Sequence, residues 1–119
     1  LARATNLPLH IPLPEEPRLL ALCLAFLQRP DVHQSPVQWA EHSHLSLRTF
    51  SRHFRQQTGL SFVQWRQRAC VVQALARLAS GEPVTRIALD LGYENPAAFS
   101  SMFRRVLGHA PSNYLEGAK

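Results

Sequence analysis

Phe50-Ser51-Arg52-His53-Phe54-Arg55-Gln56-Gln57-Thr58-Gly59 decides the fold, because the chain states it twice. Forty-nine residues later it returns as Phe99-Ser100-Ser101-Met102-Phe103-Arg104-Arg105-Val106-Leu107-Gly108. Five of the ten positions are identical: both Phe, the Ser, the Arg after the second Phe, and the closing Gly. Phe at i and i+4 occupies one face of a helix, and glycine commonly ends one. Each copy therefore predicts a short helix with an apolar back, a basic end and a defined stop. Two such helices on one small basic chain point to a two-pronged nucleic-acid binder rather than an enzyme.

The repeat extends in both directions. Backward, Ala40-x-x-x-His44 matches Ala88-x-x-x-Gly92 at an offset of forty-eight, so the second turn carries one extra residue. Forward, Trp65 matches Tyr114 at the offset of the Phe repeat. Each half thus reads short helix, tight turn, second helix, Gly, and a further helix carrying an aromatic. A small residue in the first helix, a tight turn and a capped second helix with an apolar back form the layout of a helix-turn-helix, whose second helix enters the major groove.

The remaining elements follow from caps and breakers. Residues 1–16 contain Pro8, Pro12 and Pro14 without a helical period and read as a linker or the remnant of an upstream domain. Glu15-Glu16-Pro17 opens a helix with Leu19, Leu20, Cys23, Phe26 and Leu27 on one face, and Pro30 stops it. Ser35-Pro36-Val37-Gln38 and Ser61-Phe62-Val63-Gln64 are capping boxes. The second opens the longest helix, to about Ser80, with Phe62, Trp65, Ala69, Val72, Leu75 and Leu78 as its expected core stripe. Ser46 and Asn95-Pro96 cap the two repeat helices, at about 46–58 and 96–107. Gly81-Glu82-Pro83 breaks the chain before Val84, Ile87, Ala88 and Leu91, and Ala110-Pro111-Ser112 begins a last helical turn. No segment alternates as a strand would, so the fold class is all-α, divided into a first subdomain at 17–60, a linker helix at 61–80 and a second subdomain at 81–119.

Charge separates along the chain. Residues 1–45 carry three Arg against four acidic residues; residues 46–119 carry ten basic residues against four acidic, although the whole chain is only +5. The excess lies in the segment holding both repeats, which favours polyanionic partners. Twelve of the thirteen basic residues are Arg, whose planar fork suits phosphates and guanine edges. No run approaches the roughly 20 apolar residues of a membrane span. Cys23 and Cys70 lie in apolar helical contexts without metal-ligand spacing and read as reduced core thiols of a cytoplasmic protein. A chain opening on Leu1 rather than Met reads as part of something longer.

On the first repeat helix, Phe50 and Phe54 mark the inward side, so Arg48, Ser51, Arg52 and Arg55 point away. Arg48 and Arg52, four apart, reach neighbouring bases; Arg55, nearer the C-terminal end, reaches a phosphate; Ser46 leaves helix amides for a phosphate. On the second, Ala97, Ala98, Ser100 and Ser101 face outward, with no arginine before Arg104 and Arg105. Small side chains can meet thymine methyls but not make the bidentate contacts of Arg. The first helix is therefore expected to read most bases and the second mainly to hold phosphates, with Arg86 and Asn95 completing the phosphate set.

These residues resemble the AraC/XylS family of bacterial transcription regulators, specifically its C-terminal DNA-binding domain, over about residues 17 to 116. The resemblance rests on Ser46-x-Arg48-x-Phe50-x-Arg52-x-Phe54-x-x-x-x-Gly59, on Arg68, on Ile87-Ala88-x-x-x-Gly92-Tyr93, and on Phe99-x-x-x-Phe103-Arg104-Arg105-x-x-Gly108-x-x-Pro111-x-x-Tyr114. It implies seven helices, two helix-turn-helix units on a central linker helix, and reading helices in successive major grooves about 34 Å apart. By position it implies base reading by Arg48, Ser51 and Arg52, and by Ala97, Ala98 and Ser101. Three positions depart from the family pattern: Ser101 stands where Arg is frequent, Leu115 where an Arg often follows the Tyr, and His44 where Gly often makes the turn. The resemblance also implies double-stranded operator DNA as partner and a place at the bacterial nucleoid. RNA polymerase would be a second partner if the protein activates, and dimerisation would come from an upstream domain, this fragment being a monomer.

Other classes fit less well. His42-x-His44, with His33 and His53, invites a metal, but i and i+2 do not share a helix face and no carboxylate or Cys completes the spacing. No nucleophile–base–acid arrangement is legible, and no cofactor or metal is called for. The basic helices are backed by aromatics that belong in a core rather than in a lipid surface. The remaining rival is a basic helical protein-interaction module that binds an acidic partner and needs no tandem reading helices.

Overall fold

The computed structural model describes residues 10–117, and side chains from residue 10 to residue 114. Residues 1–9 of the expected linker and the Leu115 side chain lie outside them. The described residues form seven helices and no strand: α1 (Pro17–Gln28), α2 (Pro36–His42), α3 (Leu47–Thr58), α4 (Phe62–Ala79), α5 (Val84–Asp90), α6 (Pro96–Leu107) and α7 (Pro111–Gly117).

Local chemistry sets most boundaries. The capping boxes at Ser35/Gln38 and Ser61/Gln64 both form, each serine accepting the N3 amide while the glutamine accepts the serine's own N–H. Ser46 accepts from the Thr49 amide at 3.1 Å and Asn95 from the Ala98 amide at 2.8 Å. Glu16 caps α1 by accepting from the Leu19 amide at 2.9 Å. Gly59 and Gly108 end α3 and α6 at φ 80° and 87°, the left-handed conformation that glycine adopts without a Cβ penalty. Their amides donate to Arg55 O at 2.8 Å and Arg104 O at 2.7 Å, so the two stops are alike in detail.

Helix α4 is the common wall, packing on α3 on one side and on α5, α6 and α7 on the other. That double role changes its expected stripe. Phe62, Trp65, Ala69 and Leu78 are buried as predicted, but Val72 and Leu75 are only half-buried, and Cys70, Val71 and Ala74 are buried instead. A single three-four stripe describes a helix covered from one side; α4 is covered from two, and its buried surface wraps round the axis.

The first half is built on aromatics. The Trp39 ring centroid lies 4.5 Å from that of Phe62 and 6.1–6.4 Å from those of Phe26, Trp65 and Phe50. In the second half Tyr93, Phe99, Phe103 and Tyr114 form a chain of contacts at 5.6, 5.7 and 5.6 Å. Both sets belong to one continuous apolar cluster. Residues 10–14 lie against it: Pro14 is fully buried, Ile11 packs on the core, and Trp65 Nε1 donates to Pro12 O at 2.7 Å. Gln57 Oε1 accepts the amides of both Glu15 and Glu16 at 2.9 Å, tying the entry of α1 to the end of α3.

Candidate nucleic-acid interface

The turns of the two helix-turn-helix units share three backbone hydrogen bonds. In the first turn Ser43 N–H donates to Trp39 O, His44 N–H to Glu41 O and Leu45 N–H to Ala40 O, at 3.1, 3.1 and 3.0 Å. In the second, Leu91, Gly92 and Tyr93 donate to Ile87, Leu89 and Ala88 carbonyls at 3.1, 3.0 and 3.0 Å. The turns therefore superimpose at an offset of forty-eight, while the caps Ser46 and Asn95 stand forty-nine apart. The extra residue is Glu94, which is exposed.

His44 takes φ 61°, the one positive φ among the described non-glycine residues, and Gly92 takes φ 99° at the equivalent place. Their surroundings explain why the residues differ. His44 is exposed. A Cβ on Gly92 would stand 2.9 Å from Asp31 Oδ1, so that carboxylate would have to move, and 3.1 Å from Val32 N, a tight contact with the backbone of the α1–α2 loop. Glycine suits that position first by conformation, and a Cβ would in addition press on the loop.

The backs of α3 and α6 are nearly identical. Phe50 and Phe54 lie 5.6 Å apart at 43°, Phe99 and Phe103 5.7 Å apart at 50°, and all four are fully buried. The fronts differ. On α3, Arg48, Ser51, Arg52 and Arg55 are exposed, as is the cap Ser46; on α6, Ala97, Ala98, Ser101, Arg104 and Arg105 are exposed, as is the cap Asn95. Arg86 on α5 is exposed too. Ser100 is half-buried and is set apart from the exposed row. Thr49, half-exposed on α3, is the register partner of Ala98, and the offset of forty-nine is the signal that finds it.

Ten of the eleven arginines among the described residues divide into two sets, and Arg29, exposed at the end of α1, joins neither. Arg18 pairs with Glu16 at 2.9 Å, and Arg77 Nη2 pairs with both Glu82 and Asp90 at 2.6 Å. Arg66 donates to Val32 O and Gln34 O, and Arg68 to His10 O. Among the described residues, Arg48, Arg52, Arg55, Arg86, Arg104 and Arg105 form none of the ion pairs. The two groups do not overlap: arginines that hold the fold face acceptors, and those on α3, α5 and α6 face solvent.

Other chemistry is not assembled. Among the described residues no three His, Cys, Asp or Glu side chains gather as a metal cage. His53, at Met102's position in the repeat, is half-buried, and its Nδ1 is buried without a hydrogen-bond partner among the described residues. Cys23 and Cys70 are free and buried, and burial pushes both thiols up to about 12. Among the described residues no helix is long and apolar enough to cross a membrane.

Known proteins share this arrangement. A family profile described as a helix-turn-helix domain matches residues 39–117. The HTH-type transcriptional regulator NimR of Escherichia coli is 35% identical over 107 residues, covering 90% of this chain and 39% of NimR. The E. coli activator RhaS is 36% identical over 102 residues, covering 82% of this chain and 36% of RhaS. The DNA-binding domain of AdpA, solved with a target DNA, superimposes with a TM-score of 0.74 at 29% identity, covering 82% of this chain and 88% of that one. The C-terminal domain of AraT from Geobacillus stearothermophilus does so with a TM-score of 0.78 at 23% identity, covering 86% of each. The molecule is thus a paired helix-turn-helix domain on a linker helix. The chain belongs to the AraC family of transcription regulators, as its DNA-binding domain, and is not an enzyme. It spans less than two-fifths of the length of NimR or RhaS.

Proposed function

We propose that this chain binds double-stranded DNA sequence-specifically as part of a bacterial transcription regulator, with α3 and α6 in successive major grooves. Helix α3 reads bases through Arg48, Ser51 and Arg52. Helix α6 offers Ala97, Ala98 and Ser101 to its bases and holds the backbone through Arg104 and Arg105. Ser46, Arg55, Arg86 and Asn95 complete the phosphate contacts. Subdomains at 17–60 and 81–119 joined by 61–80 carry one helix each. The placement of the arginines carries the proposal: six exposed ones with neither an ion pair nor a side-chain hydrogen bond among the described residues stand on α3, α5 and α6, where a phosphate backbone would supply the anions. The longest dimension, 45 Å, has room for two helices about 34 Å apart. Such a regulator works at the cytoplasmic nucleoid, and RNA polymerase is its second partner if it activates.

Salt titration of binding to a random-sequence duplex tests this. Four arginines on phosphates give log K a slope of about −3.6 against log salt, at −0.9 per contact. A flat response sinks the DNA reading and favours the acidic protein partner.

A further inference from the structure

The halves touch directly as well as through α4. The α1–α2 loop, which leads into the first helix-turn-helix, donates its Val32 N–H to Leu91 O at 2.9 Å. Leu91 and Gly92 form the turn of the second unit, only a few residues before the cap of α6. A Cβ on Gly92 would press on Asp31 Oδ1 at 2.9 Å and on Val32 N at 3.1 Å. The loop is fastened from behind by Arg66 of α4, whose Nη1 donates to Val32 O at 3.3 Å and Gln34 O at 2.8 Å while its guanidinium lies 5.3 Å from the Phe62 ring centroid. Alongside, the seam opens into a groove of about 660 Å³ lined by Arg29, Asp31, Gln34, Gln73, Arg77 and Asp90. The contact is local and lies beside the turn that leads into α6.

We infer that Arg66, the Val32 loop and Gly92 form a latch that fixes the spacing between the two DNA boxes the protein accepts. The inference rests on both α3 and α6 reading DNA. These are positioning residues: none lies on the exposed face of a reading helix, and each acts through the placement of α6. One base pair of spacer shifts a box by about 3.4 Å and turns it by about 34°, so a latched pair of helices tolerates one spacing while an unlatched pair follows several. Two boxes bound by linked units gain from effective concentration only when the linkage spans them. A stiff link thereby converts geometry into selectivity.

The test is selection of the 119-residue chain from a pool of randomised duplexes, comparing wild type with Arg66→Met, Gly92→Ala and His44→Gly. Arg66→Met keeps the apolar stem over Phe62 but loses both bonds to the loop; Gly92→Ala drives the contact apart from the other side. The wild type enriches two boxes at one spacing, and duplexes altered by one base pair bind about tenfold more weakly. The two latch variants spread over several spacings and lose less than about threefold per base pair, while each box alone is bound as by wild type. His44→Gly, in the unit where the turn is exposed, retains the single spacing. Thermal melting accompanies each variant; if Gly92→Ala does not fold, Arg66→Met decides. Variants that keep the wild-type spacing overturn the latch, as do variants that lose the second box altogether, since the contact then supports folding of that unit. A wild type that enriches one box or none overturns the two-helix reading itself.

Discussion

Arg52 is the sharpest single residue on the proposed surface. It lies one turn from Arg48 on the exposed side of α3, opposite a fully buried Phe50/Phe54 pair. Arg52→Ala costs about 1–3 kcal/mol on the preferred duplex and relaxes the preference at one base pair, measured against a panel of single-base variants. Arg104→Ala weakens all duplexes alike and makes the salt slope less steep by about 0.9. Exchange of these two patterns would overturn the assignment of roles. The outward arginines were legible because the Phe pair marks the opposite face of the same helix. The structural roles of Arg66, Arg68 and Arg77 were not, because their acceptors are thirty-odd and fifty-odd residues away for the first two and depend on a loop conformation for the third. Gly92 was legible as a turn residue but not as a point of close approach: a glycine in a sequence does not name its neighbour.

Helix starts and stops were readable for a related reason: a cap and the amide it accepts are three residues apart, so both partners lie in one short window. Ser35, Ser46, Ser61 and Asn95 all act as their spacing suggests. The burial of α4 was read less well, since its second covering face comes from helices later in the chain. The docking of residues 10–14 left no local signal, because prolines in an extended stretch look the same free or packed. Helix α1 adds a pH dependence. The Leu19 amide, and then Arg18, hold the Glu16 carboxyl below the usual carboxylate range. A depressed folded pKa means stabilisation that is present above the unfolded value and lost as pH falls through the folded one. The first turn of α1 therefore frays as the pH falls below the ordinary carboxylate range. Amide exchange at Leu19 measured against pH reports it, and Glu16→Gln flattens the profile. An unchanged profile in that variant would show that Glu16 does not cap the helix in solution.

At the scale of the molecule, two nearly equal scaffolds carry unequal surfaces. The radius of gyration is 14.9 Å, against about 13.5 Å for a compact chain of this length, as expected of two lobes sharing a wall. The lobes share their turn hydrogen bonds, their paired Phe rings and their left-handed glycine stops; they differ in what stands on the solvent side. Support and surface are consequently separate inheritances. The exposed row of α6 can be changed without reaching the fully buried rings beneath it. Ser101→Arg, which copies Arg52 across the repeat, therefore leaves thermal stability within about 0.5 kcal/mol and introduces a guanine preference in the second box. One exposed side chain on α6 is then enough to change what the second unit presents to a duplex while the buried rings stay as they are.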